Sequence, residues 1–353
     1  MSAHSPLPRT LGAFFERSEM TTRVFDMGRR VIRIPAGDFA SFERATTPYR
    51  FPFRRHAWCG LMFRARGRRD DPLVWFLKFP LDEQGCLVQA SRDYILKRIF
   101  EAFGARISGG AGSQSEQSVM KDNPFAFRPD ETRLAVFHAK LSREIGRPPS
   151  AHHSAAVEYF SAHSDVESWQ ALGLQGIADF AIRLSGRADR AAVTARLRVL
   201  PGPPFVALCT CLESTLPPGD VGRAIVDRTE AAMASGEPSS VVAAGLRGVS
   251  RLRAMSIGRR LLGEILESRY GADVEILAAA AGRGWELLHN DPLRARYLER
   301  LSEAGQAAFD AIVTDLLFMP GFRAPLLASL RGPECSDALR TRFDTLAASL
   351  RPG

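Results

Sequence analysis

The sequence predicts an α+β N-terminal domain with a small antiparallel sheet, followed by an all-α helical-repeat domain of the HEAT type. Three observations lead there. The apolar run at 73–79 (LVWFLKF) alternates with the period of two that marks a strand. Beyond residue 130 apolar residues recur at three- and four-residue spacing, in segments separated by Gly, Pro, Asn or Asp. Between the two regimes lies 104–121 (GARISGGAGSQSEQSVMK), rich in Gly, Ser and Gln and poor in apolar groups. The division expected is a basic α+β domain over 1–105, a flexible linker over 106–121, and the helical domain over 122–353.

In chain order, residues 10–18 (TLGAFFERS) predict a short helix capped by Thr10, with Leu11, Phe14 and Phe15 turned inward. Residues 22–26 and 31–34 predict two strands around the turn Met27-Gly28-Arg29-Arg30. Phe39 and Phe42 mark a second short helix ending before Pro48, and the prolines of 48–55 favour an extended path. Residues 56–63 and 73–79 form an antiparallel pair across the Gly67 turn, with Leu73, Trp75, Leu77 and Phe79 on one face and Val74, Phe76 and Lys78 on the other. After Pro80, Asp82 and Glu83 stand where a following helix begins, beside the positive end of its dipole. That helix spans 87–103, with Ile95, Leu96, Ile99, Phe100 and Phe103 inward.

The next helix covers 130–145, with Leu134, Phe137, Leu141 and Ile145 facing the core and His138 sharing that face. Ser164 and Glu167 match the capping box of a helix that carries Trp169, Leu172, Ile177, Phe180 and Leu184, where Gly173 and Gly176 permit close approach of a neighbour. Further helices are expected at 187–199, 204–213, 220–234, 239–247, 250–267, 273–288, 291–302, 305–318, 322–330 and 336–350. Short paired helices with small residues at their contacts, as in VEILAAAAGRGWELL, suggest stacked helix hairpins. The tetratricopeptide and ankyrin signatures are missing.

Composition narrows the function. No run approaches the roughly 18 apolar residues of a membrane helix, and Arg9, Glu16, Arg17 and Glu19 interrupt the start where a signal peptide has its apolar core, so a cytoplasmic protein with no membrane partner is expected. Five scattered cysteines, Cys59, Cys86, Cys209, Cys211 and Cys335, argue for free thiols in a reducing compartment. Cys209 and Cys211 point to separate helix faces and read as small buried residues. Residues 1–110 hold 19 Lys or Arg against 11 Asp or Glu, and the remainder holds 28 against 28, so the whole excess of +8 lies in the front. Because 43 of the 47 basic residues are arginine, GC-rich coding bias competes with polyanion binding as the reason.

Linear catalytic templates are missing: no G-x-S-x-G elbow, phosphate-loop lysine, H-E-x-x-H, or G-x-G-x-x-G between strand and helix. One dispersed constellation remains, Lys78 with Asp82 and Glu83 at a strand end, where carboxylates hold Mg²⁺ and a lysine steadies a phosphate, with Asp26 or His56 joining from neighbouring strands. The competing reading makes Asp82 or Glu83 a helix cap and lets Lys78 snorkel from the sheet edge. Arg50, Arg54, Arg55, Arg68 and Arg69, set among Tyr49, Phe51 and Phe53, are the candidate binding residues for nucleic acid, against the reading of a solvated basic face. His152, His153 and His163 cluster loosely without a cysteine or carboxylate at ligand spacing, and no metal or other cofactor is expected.

Six motifs carry a family resemblance: FDMGRR (25–30), WFLKFPLDEQG (75–85), DNPFAF (122–127), VFHAKL (136–141), LGLQGIADFA (172–181) and LLFMPGFRAPLLASLR (316–331). Through them nearly the whole chain resembles a proteobacterial family catalogued as a domain of unknown function, DUF3549, with 108–118 standing out as an insertion. The resemblance implies a bacterial cytoplasmic protein and transfers no activity, cofactor or catalytic residue. Three functions follow. The leading expectation is a non-enzymatic adaptor that binds a partner protein through its helical domain. The alternatives are an RNA- or ribosome-associated factor using the basic front, and an enzyme built on Lys78, Asp82 and Glu83.

Overall fold

The computed structural model describes residues 8–67, 71–107, 123–186, 190–332 and 335–350. The chain forms two compact units, one made of Met1–Pro129 with Phe318–Pro320 and the other of Asp130–Leu317 with Gly321–Gly353.

The first unit is built on a four-stranded antiparallel sheet in the order β2-β1-β3-β4, where β1 is Met20–Asp26, β2 Ile32–Ile34, β3 His56–Ala65 and β4 Leu73–Pro80. Register follows the alternation in the sequence. Cys59 sits opposite Leu77, Leu61 opposite Trp75 and Val24, and Ala57 opposite Phe79, so these side chains share one face. Against that face pack α1 (Leu11–Arg17), α2 (Ala36–Glu43) and α3 (Gln89–Ile107), closing a core of Leu11, Phe14, Phe15, Phe39, Phe42, Ile95 and Ile99. Thr10 caps α1 as its position predicts, its Oγ1 accepting from the Ala13 amide at 3.1 Å. The ring of Phe15 stacks on Phe63, 4.8 Å between centroids.

Residues 123–127 differ from expectation. The Lys78 amide donates to the Phe125 carbonyl and the Phe127 amide to the Phe76 carbonyl, so this stretch lies along β4 and belongs to the first unit. A pinned aromatic turn after a linker reads like the start of a new domain, yet its backbone groups satisfy a sheet edge. Of the expected linker, 106 and 107 complete α3 and residues 108–121 lie outside the described ones, as do the side chains of Phe100 and Phe103.

The second unit is helical throughout. Its elements are α4 (Glu131–Glu144), α5 (His153–Phe160), α6 (Leu174–Arg183), α7 (Arg190–Arg198), α8 (Gly202–Leu212), α9 (Gly219–Ser235), α10 (Ser239–Val249), α11 (Met255–Glu267), α12 (Val274–Arg283), α13 (Asp291–Glu303), α14 (Gln306–Leu317), α15 (Arg323–Leu330) and α16 (Asp337–Ser349), joined in places by short 3-10 turns. Each helix packs on the next but one. The even-numbered helices α4 to α14 form a first row, the odd-numbered α5 to α13 a second, and α15 and α16 both pack on α13. Glycine permits the closest approach between rows: a Cβ on Gly245 of α10 would lie 1.9 Å from the Thr229 Oγ1 of α9.

The second row repeats one device at every junction. Near the C-terminal end of each helix, where backbone carbonyls lack an intrahelical donor, a side chain on or beside the next helix of the row supplies one. Arg196 donates to the Ser164 carbonyl just beyond α5, Arg228 to Leu200, the Tyr270 hydroxyl to Glu237 and Arg300 to Leu266, and past the end of the row Arg342 of α16 does the same for Ser302 of α13. A cation beside a helix C-terminus also suits the dipole.

Two local expectations are corrected. The capping box at Ser164 and Glu167 does not form; Asp165 accepts the Glu167 amide, a short 3-10 turn runs over Ser168–Ala171, and α6 starts only after Gly173. A carboxylate one residue on offers the nearer acceptor. His138 faces outward, because the buried side of α4 is Ala135, Val136, Phe137, Ala139 and Leu141, and Leu134 and His138, four residues apart, share the opposite stripe. Trp285 is buried as expected, whereas Trp169 is half-buried. Cys59, Cys209 and Cys211 are buried free thiols.

Candidate functional site

Chemistry in the first unit was expected at Lys78, Asp82 and Glu83. Lys78 stands on the face of the sheet opposite the helices, paired with Trp58, and its ammonium lies 5.7 Å from the centre of that indole. Asp82 is committed to its own turn: its Oδ1 accepts the amides of Gln84 at 2.9 Å and Cys86 at 2.8 Å, while its amide donates to the Cys86 carbonyl. Gly85, at φ 79°, makes this turn possible. The carboxylate therefore caps a loop and not α3, which begins at Gln89. Glu83 is exposed beside it.

The two residues suggested as additional ligands divide between the faces. Asp26 pairs with Cys59 and shares the helix-covered face, whereas His56 shares the Lys78 face and its Nδ1 lies 2.8 Å from the Arg54 carbonyl oxygen. Among the described residues no group of three or more His, Cys, Asp or Glu is placed to hold a metal ion.

Asp26 is the centre of a buried polar network that sequence reasoning missed. Its carboxylate accepts the amides of Gly28, Arg29 and Arg30 and the hydroxyl of Tyr49 at 2.8 Å, fixing the 26–30 turn against the extended 48–55 segment. Burial outweighs these four donors and raises its pKa to about 6. Arg29 and Arg30 are both buried, and the Arg29 Nε donates to the Pro52 carbonyl at 2.7 Å. Two arginines counted from sequence toward a solvated basic surface are thus interior parts of the fold. A second buried carboxylate, Glu43 on α2, accepts the amides of Leu11 and Gly12 at the start of α1, and burial raises its pKa to about 7.

The exposed arginines are arranged differently. Residues 53–56 close a two-residue hairpin, the Phe53 amide donating to the His56 carbonyl at 3.0 Å and the His56 amide returning to Phe53 at 3.1 Å. Both central residues are left-handed, Arg54 at φ 49° and Arg55 at φ 60°. Three exposed guanidinia sit against aromatic rings: Arg54 lies 5.4 Å from the centre of Phe53, Arg50 5.2 Å from Phe51, and Arg55 5.5 Å from Phe318. Phe318 is itself packed against the core of the first unit. Arg68 and Arg69 lie outside the described residues.

In the second unit the two rows present unlike surfaces. The second row is charged outward and laced by ion pairs between neighbouring helices, Arg198 with Asp227, Arg260 with Glu230, and Arg296 with Glu267. On three helices of the first row several exposed or half-exposed positions are small or apolar, Val206, Ala207 and Thr210 on α8, Val274 and Ala278 on α12, Ala307, Ala311 and Ile312 on α14, beside charged ones such as Glu275 and Asp315, while α4 of that row exposes Glu131, His138 and Arg143. Among the described residues no helix is long and apolar enough to cross a membrane.

A family model described as a protein of unknown function (DUF3549) matches residues 8–347. No curated protein matches the chain, and no solved structure does.

Proposed function

The chain belongs to the DUF3549 family of proteins of unknown function, and from that premise, which brings no activity with it, we propose a non-enzymatic adaptor that holds a partner protein on its helical unit. The two rows are read as a HEAT-type α-solenoid, whose repeated helix pairs offer a long surface assembled from neighbours in sequence. The observation that carries the reading is the contrast between rows: the charged, ion-paired second row suits solvent, and the small apolar positions of α8, α12 and α14 suit contact with another chain. Small residues there let a helix approach closely, so the partner expected is an amphipathic helical segment laying its apolar face along the first row.

The experiment compares the full chain with two variants during native purification. Ala278→Arg combined with Ala311→Arg places two charges on the first row, and Arg260→Ala alters the second. The reading requires a stoichiometric protein partner that the first variant loses and the second keeps. A partner retained equally by both, or none recovered with the unaltered chain, overturns it.

A further inference from the structure

We propose that the hairpin tip formed by Arg54 and Arg55, with Arg50 beside it, is a binding site for the phosphate backbone of single-stranded RNA. The first argument is backbone conformation. A two-residue hairpin with both central residues left-handed is the type I′ turn, for which Asn-Gly is the favoured pair because these residues tolerate positive φ. Arginine at both positions sets each Cβ against the following carbonyl. The turn is held in this state from several sides, by the paired amides of Phe53 and His56, by the Leu81 amide donating to the Arg55 carbonyl, and by the Trp58 indole N–H donating to the Phe53 carbonyl at 2.9 Å. Surroundings that impose an unfavourable backbone on two arginines point to the side chains as the feature in demand.

The second argument is what those side chains are arranged to do. Arg50, Arg54 and Arg55 are exposed, and each lies over a ring, on Phe51, Phe53 and Phe318 respectively. A guanidinium laid on a ring is oriented by it, and its planar fork of N–H donors matches two phosphate oxygens. Phe51 and Phe53 are themselves half-exposed, Phe51 with its other side packed against the core of the first unit and Phe53 met also by the Arg29 guanidinium at 5.8 Å. Flat cations and rings in alternation serve unpaired bases and their phosphates together, which an acidic peptide does not require and a closed duplex cannot use. The charge balance agrees, since the excess of +8 falls within residues 1–110.

The test is fluorescence anisotropy of the full chain with a labelled oligouridine, and with oligothymidine and heparin as comparison arms, across about 50 to 200 mM salt. The decisive variant is Arg54→Asn with Arg55→Gly, which installs the favoured turn pair. Its thermal midpoint should rise while RNA affinity falls about tenfold or more, and its log–log salt slope should flatten by about 1.4, the loss of two phosphate contacts on a single strand at about 0.7 each. Arg50→Glu, at an ordinary backbone position, should weaken RNA binding in the same direction and keeps the test alive should the turn variant fail to fold. Affinity unchanged in both variants, binding indifferent to salt, or no RNA binding by the unaltered chain at the lowest salt overturns the proposal. Equal affinity for heparin, reduced equally by the variants, also overturns it, since the site would then answer to charge alone. The adaptor reading stands or falls on other residues, so the two outcomes are separable.

Discussion

Arg228 offers the sharpest test of what holds the helical unit together. Its Nε donates to the Leu200 carbonyl at 2.8 Å, its two terminal nitrogens bind both oxygens of Glu237 at 2.8 and 2.9 Å, and its guanidinium lies over Phe205 at 5.4 Å. The Arg228 side chain is 7% exposed and that of Glu237 29%. Arg228→Ala removes all four interactions. Orphaning a buried carbonyl costs about 1 to 3 kcal/mol, and breaking a buried ion pair about 3 to 5 kcal/mol when the remaining charge stays dry. Glu237 regains water, which reduces the second contribution, so about 3 kcal/mol is expected in total. Arg198 with Asp227 is the control: the same row and the same pairing between neighbours, with both side chains 48% exposed. Arg198→Ala should cost at most about 1 kcal/mol. Urea unfolding followed by far-ultraviolet circular dichroism measures both, and a double-mutant cycle with Glu237→Gln isolates the pair. Equal losses in the two variants, or a loss below about 1 kcal/mol for Arg228→Ala, would refute the claim that burial decides which arginines matter.

Other outcomes follow from close packing, burial and titration. Gly245→Ala should destabilise by about 3 kcal/mol, the upper end of overpacking costs, because the new Cβ meets buried Thr229 at 1.9 Å and the helix-propensity gain of about 1 kcal/mol is too small to offset it; an unchanged urea midpoint would contradict the packing. Glu43 has a folded pKa of about 7 against an ordinary 4.5, so the native state holds its proton more tightly and stability falls as pH rises through that interval, by on the order of 3 kcal/mol. Denaturation from pH 4 to 8 should show a slope that flattens in Glu43→Gln, with Asp26 adding a fall of the same sign between 3.8 and about 6. Titration with a thiol reagent should find Cys86 and Cys335 reactive in the native protein, and Cys59, Cys209 and Cys211 only after unfolding, since burial pushes those three thiols up in pKa and shields them.

Legibility differed by kind of feature. Strand alternation at 73–79 and the three- and four-residue spacing of most helices set faces correctly because burial acts on every turn of an element, the exceptions being Leu73 at the start of its strand and the Leu134–His138 stripe of α4. The same reasoning failed at single polar residues, where one hydrogen bond decides. Asp82 before an apolar stretch looks like a helix cap, and only Gly85 hinted that the chain would turn first. Asp26 and Tyr49 are 23 residues apart, so their bond is invisible to local pattern, and with it the reason Arg29 and Arg30 can sit inside. The Arg54-Arg55 hairpin was hidden for the opposite reason, since its residues contradict the turn chemistry by which hairpins are found. The family was readable from six motifs, because a motif records residues without needing their explanation.

Phe318–Pro320 carries a consequence for biosynthesis. These residues are counted with the first unit although almost two hundred residues of the second precede them. A ribosome releasing the chain from its N-terminus delivers the sheet early, while the ring that lies under Arg55 and against the first core arrives only after α14 has been made. Nascent chains halted before that point should therefore show the first unit more open to protease than the finished protein. The part that begins first is completed near the end.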